Sequence, residues 1–299
     1  MAGRLSDAHC HVGDNPDLFE REVDRMQVQW FATMATGMHD MAAVERLMRA
    51  YPDRVIGFFG LHPWFSHLVS TTTPTSKHDH YKRVLQPEPD DDVIAQLPEP
   101  VPLVKLVAAV EQHVKANELA QIGEVGLDKN FRVRVGSRLS PHRVKVSHQV
   151  EVLTRLLDVA ARHDRAVSLH GVGAHQALLQ AVTAVHARHK LRAVCLHSYS
   201  GSADQARLWT RALGSPDLVF FSFSKFVNLE RTTPARMTAV VTCADVAATQ
   251  ILVESDLPTA GPGLDAAVDA AAAHLVAATP SLSRVTLADN FARFVFGRI

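Results

Sequence analysis

Residues 5–12, LSDAHCHV, place Asp7, His9 and His11 at every second position of a short apolar run. In an extended strand alternate side chains share a face, so His9 and His11 point the same way while Cys10 turns into the wall behind them. Such a strand decides the fold only if its pattern recurs along the chain. Seven further short apolar runs follow: QWFATMATG (29–37), RVIGFFGLHP (54–63), AQIGEVGLD (120–128), AVSLHG (166–171), RAVCLHSYSG (192–201), LVFFSFS (218–224) and QILVESDLP (250–258). Each ends in Gly, Pro or a polar cluster and leads into a segment of helical spacing. Those segments are 41–52, 103–118, 148–163, 174–189, 202–213 and 232–243, with two more helices expected after the last strand.

Eight strands alternating with helices is the arithmetic of an α/β fold closed as a (β/α)8 TIM barrel, whose catalytic residues stand at the C-terminal ends of the strands. A doubly wound sheet would gather its polar residues at one crevice. Here nearly every strand ends in one, which favours closure. Residues 1–299 therefore read as a single TIM-barrel domain. Residues 66–102, rich in Thr, Pro and Asp, interrupt the rhythm and read as an inserted loop, expected to be a lid, a binding loop or unstructured. Its run Asp90–Asp92 reads as a solvated patch, and His67, His78 and His80 within it are not read as a metal site.

Lys plus Arg and Asp plus Glu number 31 each, so no global field draws the protein to a polyanion or an acidic membrane. Any affinity for nucleic acid must be local. Three scattered cysteines, Cys10, Cys195 and Cys243, fit a reducing compartment better than a disulfide framework. The first ten residues lack the apolar stretch of a signal peptide, and no run of about 18 apolar residues suggests a membrane span. A cytoplasmic or nuclear monomer with no membrane partner is expected.

Imidazoles and carboxylates dominate the strand ends: Asp7, His9, His11, His62, Glu124, Asp128, His170, His197, Glu254 and Asp256, with Ser224 and Lys225 beside them. Among 17 histidines, any single one is more often a hydrogen-bonded structural residue than a ligand. Convergence of His9, His11, Glu124, His170, His197 and Asp256 on one rim is harder to dismiss. Six ligands exceed what one tetrahedral ion needs, and a bridging carboxylate is the usual way to hold two. Glu124 would be that bridge, with His9, His11 and Asp256 on one ion and His170 and His197 on the other. Zn, Mn, Co and Mg all suit such ligands. Paired metals imply hydrolysis, with Asp256 the candidate base and Glu124 the other catalytic carboxylate. Asp7, Asp128 and Glu254 are expected to support or orient the ligands. His62 and Lys225 are candidate substrate contacts. So is Arg132, in the basic stretch KNFRVRVGSRLSPHRVK (129–145), which has no acidic residue and could position phosphates. Phe131 alone is too little to argue base stacking.

At these residues the chain resembles the TatD family of metal-dependent hydrolases, a branch of the amidohydrolase-like barrels that includes deoxyribonucleases. DAHCHV resembles its opening Asp-x-His-x-His, GLHPW its Gly-x-His-Pro, and IGEVGLD its Ile-Gly-Glu-x-Gly-Leu-Asp. HSYSGS, ESDLP and NFARFVFG match three later motifs in the same order. The resemblance spans nearly the whole chain, and LSPHRVKVSHQVEVL and the long insertion are similar to fungal-type members. It implies two divalent metals and hydrolysis of DNA, including 3'-5' exonuclease action, which suits a barrel mouth that admits an end. After the fifth-strand His the family commonly has His-x-Arg, and this chain has Val172 at that Arg position. That departure keeps open the hydrolysis of a small amide, ester or lactone, or of an ester linked to transfer RNA. A barrel kept as a binding scaffold is the third class, against which the full ligand set argues.

Overall fold

The structure, a computed structural model, describes residues 3–72 and 76–297. All eight apolar runs are strands: β1 (Asp7–Cys10), β2 (Phe31–Met34), β3 (Val55–Phe59), β4 (Gln121–Asp128), β5 (Ala166–Val172), β6 (Ala193–Leu196), β7 (Val219–Ser224) and β8 (Ile251–Glu254). They run parallel, each hydrogen-bonded to the next in chain order. The ring closes just past the strand ends. There the Asp256 N–H donates to His9 O (2.9 Å), the His11 N–H donates to Leu257 O (2.8 Å), and the Ser255 N–H donates to the Asp7 carboxylate (2.9 Å). The fold is therefore the TIM barrel expected from the strand count.

The barrel interior divides into an apolar floor and a polar top. Ala8, Ala32, Ile56, Phe58, Phe220 and Leu252 pack inside against Phe291, Phe294 and Val295 of the last helix, Arg284–Phe296. Phe294 is fully buried, worth about 1.5–3 kcal/mol of transfer free energy. Three further hydrogen bonds fix this plug. Asn290 donates to Ile251 O at the start of β8, and Arg192, just before β6, donates to the carbonyls of Phe294 and Val295. With its N-terminal end stoppered, the barrel is open to ligands at its C-terminal end.

Gly126 sets how closely β4 and β5 approach. It is paired in register with His170, at a φ of 152°, and a Cβ there would stand 2.0 Å from His170 O. No residue with a side chain fits this position without moving β5, and with it His170.

The six expected helices between strands all form, at Met41–Ala50, Leu103–Ala116, Val146–Arg162, His175–Arg188, Ala203–Leu213 and Pro234–Val241. Pro262–Ala278 and Arg284–Phe296 follow β8. An additional helix, Pro16–Glu22, starts where the Asn15 side chain accepts the Leu18 N–H and Pro16 occupies the first turn. Of the readings open for the insertion, the unstructured one does not hold for its described residues, which contain the helices Lys77–Val84 and Asp91–Gln96. Ser76 and Asp90 cap them, so the acidic run is a helix start. Tyr81, Val84, Leu85, Ile94 and Leu97 form a small core with Val133 and Val144 of the basic stretch, and Leu85–Gln86 pairs antiparallel with Arg143–Val144. The two excursions from the barrel fold against each other. Among the described residues no helix is long and apolar enough to cross a membrane.

Candidate metal centre

Glu124 lies in the middle of the open end, buried, and each of its carboxylate oxygens faces a different set of side chains. Around Oε2 stand His9 Nε2 (3.3 Å) and His11 Nε2 (3.4 Å). Those two nitrogens are 3.3 Å apart, and Asp256 Oδ1 is 3.5 Å from that of His11. Around Oε1 stand His170 Nδ1 (2.9 Å), His197 Nε2 (2.9 Å) and His62 Nε2 (3.2 Å). All six residues expected on the rim are brought together, with His62 as a seventh.

What holds the outer nitrogen of each ring decides what its inner nitrogen offers. Ser168 Oγ lies 2.8 Å from His9 Nδ1, Asp128 Oδ2 3.3 Å from His170 Nε2, and Glu254 Oε1 3.4 Å from His197 Nδ1. As neutral rings with their protons toward Ser168 and Asp128, His9 and His170 would turn lone pairs toward Glu124, while the outer Nδ1 of His197 makes no hydrogen bond. Lone pairs facing carboxylate oxygens repel unless a cation lies between them, and Glu124 Oε2 is buried without a hydrogen-bond donor. The donor set therefore fits divalent ions. His62 is different: its Nδ1 accepts the Trp64 N–H (3.2 Å), so the neutral ring carries its proton on Nε2 and is a donor.

Electrostatics follow from this crowding. Burial alone would raise the Glu124 carboxyl, but His62, His197 and His9 outweigh it and hold the group well below the usual carboxylate range. Burial likewise opposes ionisation of Asp256, yet His11, His197 and His9 hold it down at about 2. Burial pushes His62 down to about 4. For His197 burial acts downward too, but Glu124 and Glu254 carry it well above the ordinary imidazole value. Buried Asp7 is pushed up to about 7, chiefly by desolvation. Its Oδ1 accepts the His9 and Ser255 N–H groups, so it braces the β1–β8 seam through the backbone.

Two non-glycine residues at the centre hold left-handed backbone, Ser198 (φ 41°) and Asp256 (φ 57°), conformations that cost on the order of 1–3 kcal/mol each. Both are over-determined. The Ser198 N–H and Oγ donate to Glu254 Oε1 (2.8 and 2.6 Å), and Asp256 is held by the β1–β8 seam. Ser222 donates to the other Glu254 oxygen. The remaining substrate candidates stand outside this cluster. Lys225 is exposed and 3.2 Å from Glu230, and Arg132 is exposed on the basic stretch. Sequence reading missed Ser168, Ser198 and the indole of Trp64, which donates to Asp128 Oδ2 (2.7 Å). Only Ser168 had a signal, since it lies two residues before His170 and shares its face.

Comparison with known proteins bears on the family and the fold. Residues 6–288 match the family described as TatD related DNase. The chain is 33% identical over 267 residues to the Cut9-interacting protein scn1 of Schizosaccharomyces pombe, covering 75% of this chain and 79% of that protein. It is 31% identical over 275 residues to an uncharacterized deoxyribonuclease of Saccharomyces cerevisiae, covering 87% and 85%. In fold it is similar to the crystal structure of YJJV, a TatD homologue from Escherichia coli K12, with a TM-score of 0.68 at 19% identity and both chains fully covered.

Proposed function

Because the chain belongs to the TatD related DNase family and is thus an ester-bond hydrolase, we propose that it is a divalent-metal-dependent deoxyribonuclease. His9, His11, Asp256 and Glu124 would hold one cation, and Glu124, His170 and His197 a second. The observation that carries this reading is the division of Glu124, whose two oxygens each face their own group of imidazole nitrogens. Bound there, the ions, among Zn, Mn, Co or Mg, would supply Lewis acidity toward a phosphoryl oxygen and a lowered pKa for water.

The chain's own groups divide the remaining work. Asp256 is 20% exposed and ionised, so it can take the proton of the water that attacks phosphorus as the P–O bond to the sugar breaks, and the departing sugar oxygen takes up a proton to leave as the hydroxyl. Glu124 is enclosed by imidazoles, stays ionised and takes no proton. His62 offers its Nε2–H to a phosphoryl oxygen. Arg132 and Lys225 lie at the rim, where they would position flanking phosphates without reading bases. Asp128 and Ser168 would hold His170 and His9 in the tautomer that leaves a lone pair inward, with Glu254 beside His197.

The excursions after β3 and β4 stand at the rim of the mouth, which favours cleavage from a DNA end over cleavage within a duplex. We place the enzyme in the cytoplasm or nucleus as a monomer. The decisive test is metal-dependent cleavage of end-labelled single-stranded and duplex DNA. Glu124→Gln and Asp256→Asn should abolish it, and activity equal to wild type in those variants would overturn the reading. Val172, where an arginine would have met phosphate, favours a second reading in which the same centre opens a small amide, ester or lactone, or an ester on transfer RNA. Inhibition by inorganic phosphate rather than by carboxylate analogues separates the two.

A further inference from the structure

Trp64 is an anomaly at the mouth. Of the chain's tryptophans, Trp209 is 1% exposed in the core, whereas Trp64 is 39% exposed and lies beside His62 and His170 at the polar end of the barrel. Its ring stacks on that of Phe131 with centroids 4.6 Å apart and planes 11° from parallel. It also meets His62 edge to face at 4.6 Å and lies 6.4 Å from His170. One carboxylate holds both rings. Asp128 Oδ2 accepts the Trp64 indole N–H (2.7 Å), Asp128 Oδ1 accepts the Phe131 backbone N–H (2.9 Å), and Oδ2 also lies 3.3 Å from His170 Nε2.

The two aromatics sit at the roots of the two excursions that share the core of Tyr81, Ile94, Val133 and Val144. Their mutual stack and the two hydrogen bonds to Asp128 set the orientation of the pair before any ligand arrives. A flat, rigid, partly exposed aromatic step one side chain away from the reacting centre is what a nucleobase stacks on, because every base presents a π-face. The basic side chains of Arg132 and Arg134 on the same stretch complement the phosphates on either side.

We propose that Trp64 and Phe131 form a stacking step for the nucleobase adjoining the scissile phosphodiester, which makes them specificity-determining residues; this rests on the deoxyribonuclease reading above. The step distinguishes a nucleotide chain from a bare phosphodiester. It accepts any base, since stacking does not read hydrogen-bonding edges.

Two measurements on the full chain test it. In the first, chelator-treated protein is titrated with a short single-stranded oligodeoxynucleotide and with the same chain bearing a terminal abasic residue, following tryptophan fluorescence. The intact oligonucleotide should quench wild type, the abasic one much less, and Trp64→Phe should lose the quench. In the second, kcat/KM is measured on both oligonucleotides with metal present. Wild type should prefer the intact one by about 5- to 150-fold, the range that alanine substitution of base-stacking aromatics produces. Phe131→Ala and Trp64→Ala should bring that ratio close to one, and Trp64→Phe should keep most of it. An unchanged ratio in both alanine variants overturns the proposal. So does an equal loss on both substrates in Trp64→Ala with the preference retained, which would mark a role through Asp128 alone. Quenching without cleavage of either oligonucleotide removes the deoxyribonuclease reading and leaves the stacking step standing. Cleavage without base preference does the reverse.

Discussion

His9 and His197 stack face to face, with ring centroids 3.8 Å apart and planes 9° from parallel, although His9 touches one oxygen of Glu124 and His197 the other. Two protonated imidazoles at that distance repel. Burial and then the charge of His197 push His9 below its ordinary value, while Glu124 and Glu254 carry His197 above it. Divalent ions held between these rings and Glu124 would supply positive charge without bringing two imidazolium rings together.

Metal should therefore stabilise the fold measurably. An ion at 100 times its Kd adds about 2.7 kcal/mol when it binds only the native state. Differential scanning fluorimetry of chelated protein with added Mn or Zn should show the rise in Tm, and Glu124→Gln should lose most of it. An equal rise in both proteins would show that the ions bind elsewhere.

Ser168 is a positioning residue for His9, and Ser168→Ala should weaken metal binding by about 10- to 100-fold, the usual cost of losing a partner that orients a ligand. Competition against a fluorescent chelator reads this directly. Affinity unchanged within about twofold would mean that the β1 backbone alone sets the ring.

Gly126→Ala puts a methyl group 2.0 Å from His170 O and should destabilise by more than about 4 kcal/mol, at the exceptional end for point mutants. Gly263→Ala, in the helix Pro262–Ala278 with open space around its Cβ, should stabilise by about 0.5–1 kcal/mol. Urea titrations of the two variants check the contrast. Similar midpoints for both would contradict the close approach of β4 and β5.

The insertion has its own pH limit. His67, His80 and His148 are buried together: His80 Nε2 contacts His67 O (2.8 Å), His148 Nε2 contacts Ser66 O (2.9 Å), and the Nδ1 atoms of His67 and His80 have no partner. Burial pushes His67 down to about 4 and lowers the other two. The folded state thus binds fewer protons than the unfolded chain, so this stability is complete above pH 6.5. It is lost as pH falls from 6.5 toward 4, by on the order of 3 kcal/mol for His67. Thermal melts of chelated wild type and His67→Leu between pH 7.5 and 4.5 should diverge, with the variant less acid-sensitive. Parallel curves would place the acid sensitivity elsewhere.

The barrel was legible because each strand announces itself within its own ten residues, as AVSLHG and LVFFSFS do, and the candidate ligands stand at fixed places on or just past those strands. What escaped depends on contacts between distant segments. The helix Lys77–Val84 buries only His80, Tyr81 and Val84 and finds part of its core in Val133 and Val144, so its own window shows no apolar period. Trp64 and Phe131 are 67 positions apart, and nothing local to either marks the other as its stacking partner. His62 was legible as a strand-end residue, but its role as a donor follows only from the Trp64 N–H on its other nitrogen.

The seam between β1 and β8 also sets when the enzyme can exist. His11 and Asp256 are separated by 245 residues, so on the ribosome the first two imidazoles emerge long before the carboxylate that completes their group. At about 5–20 residues per second that interval is roughly 12–50 s. Throughout it the nascent chain carries His9 and His11 without Asp256, and the cluster around Glu124 is complete only once the last strand locks onto the first.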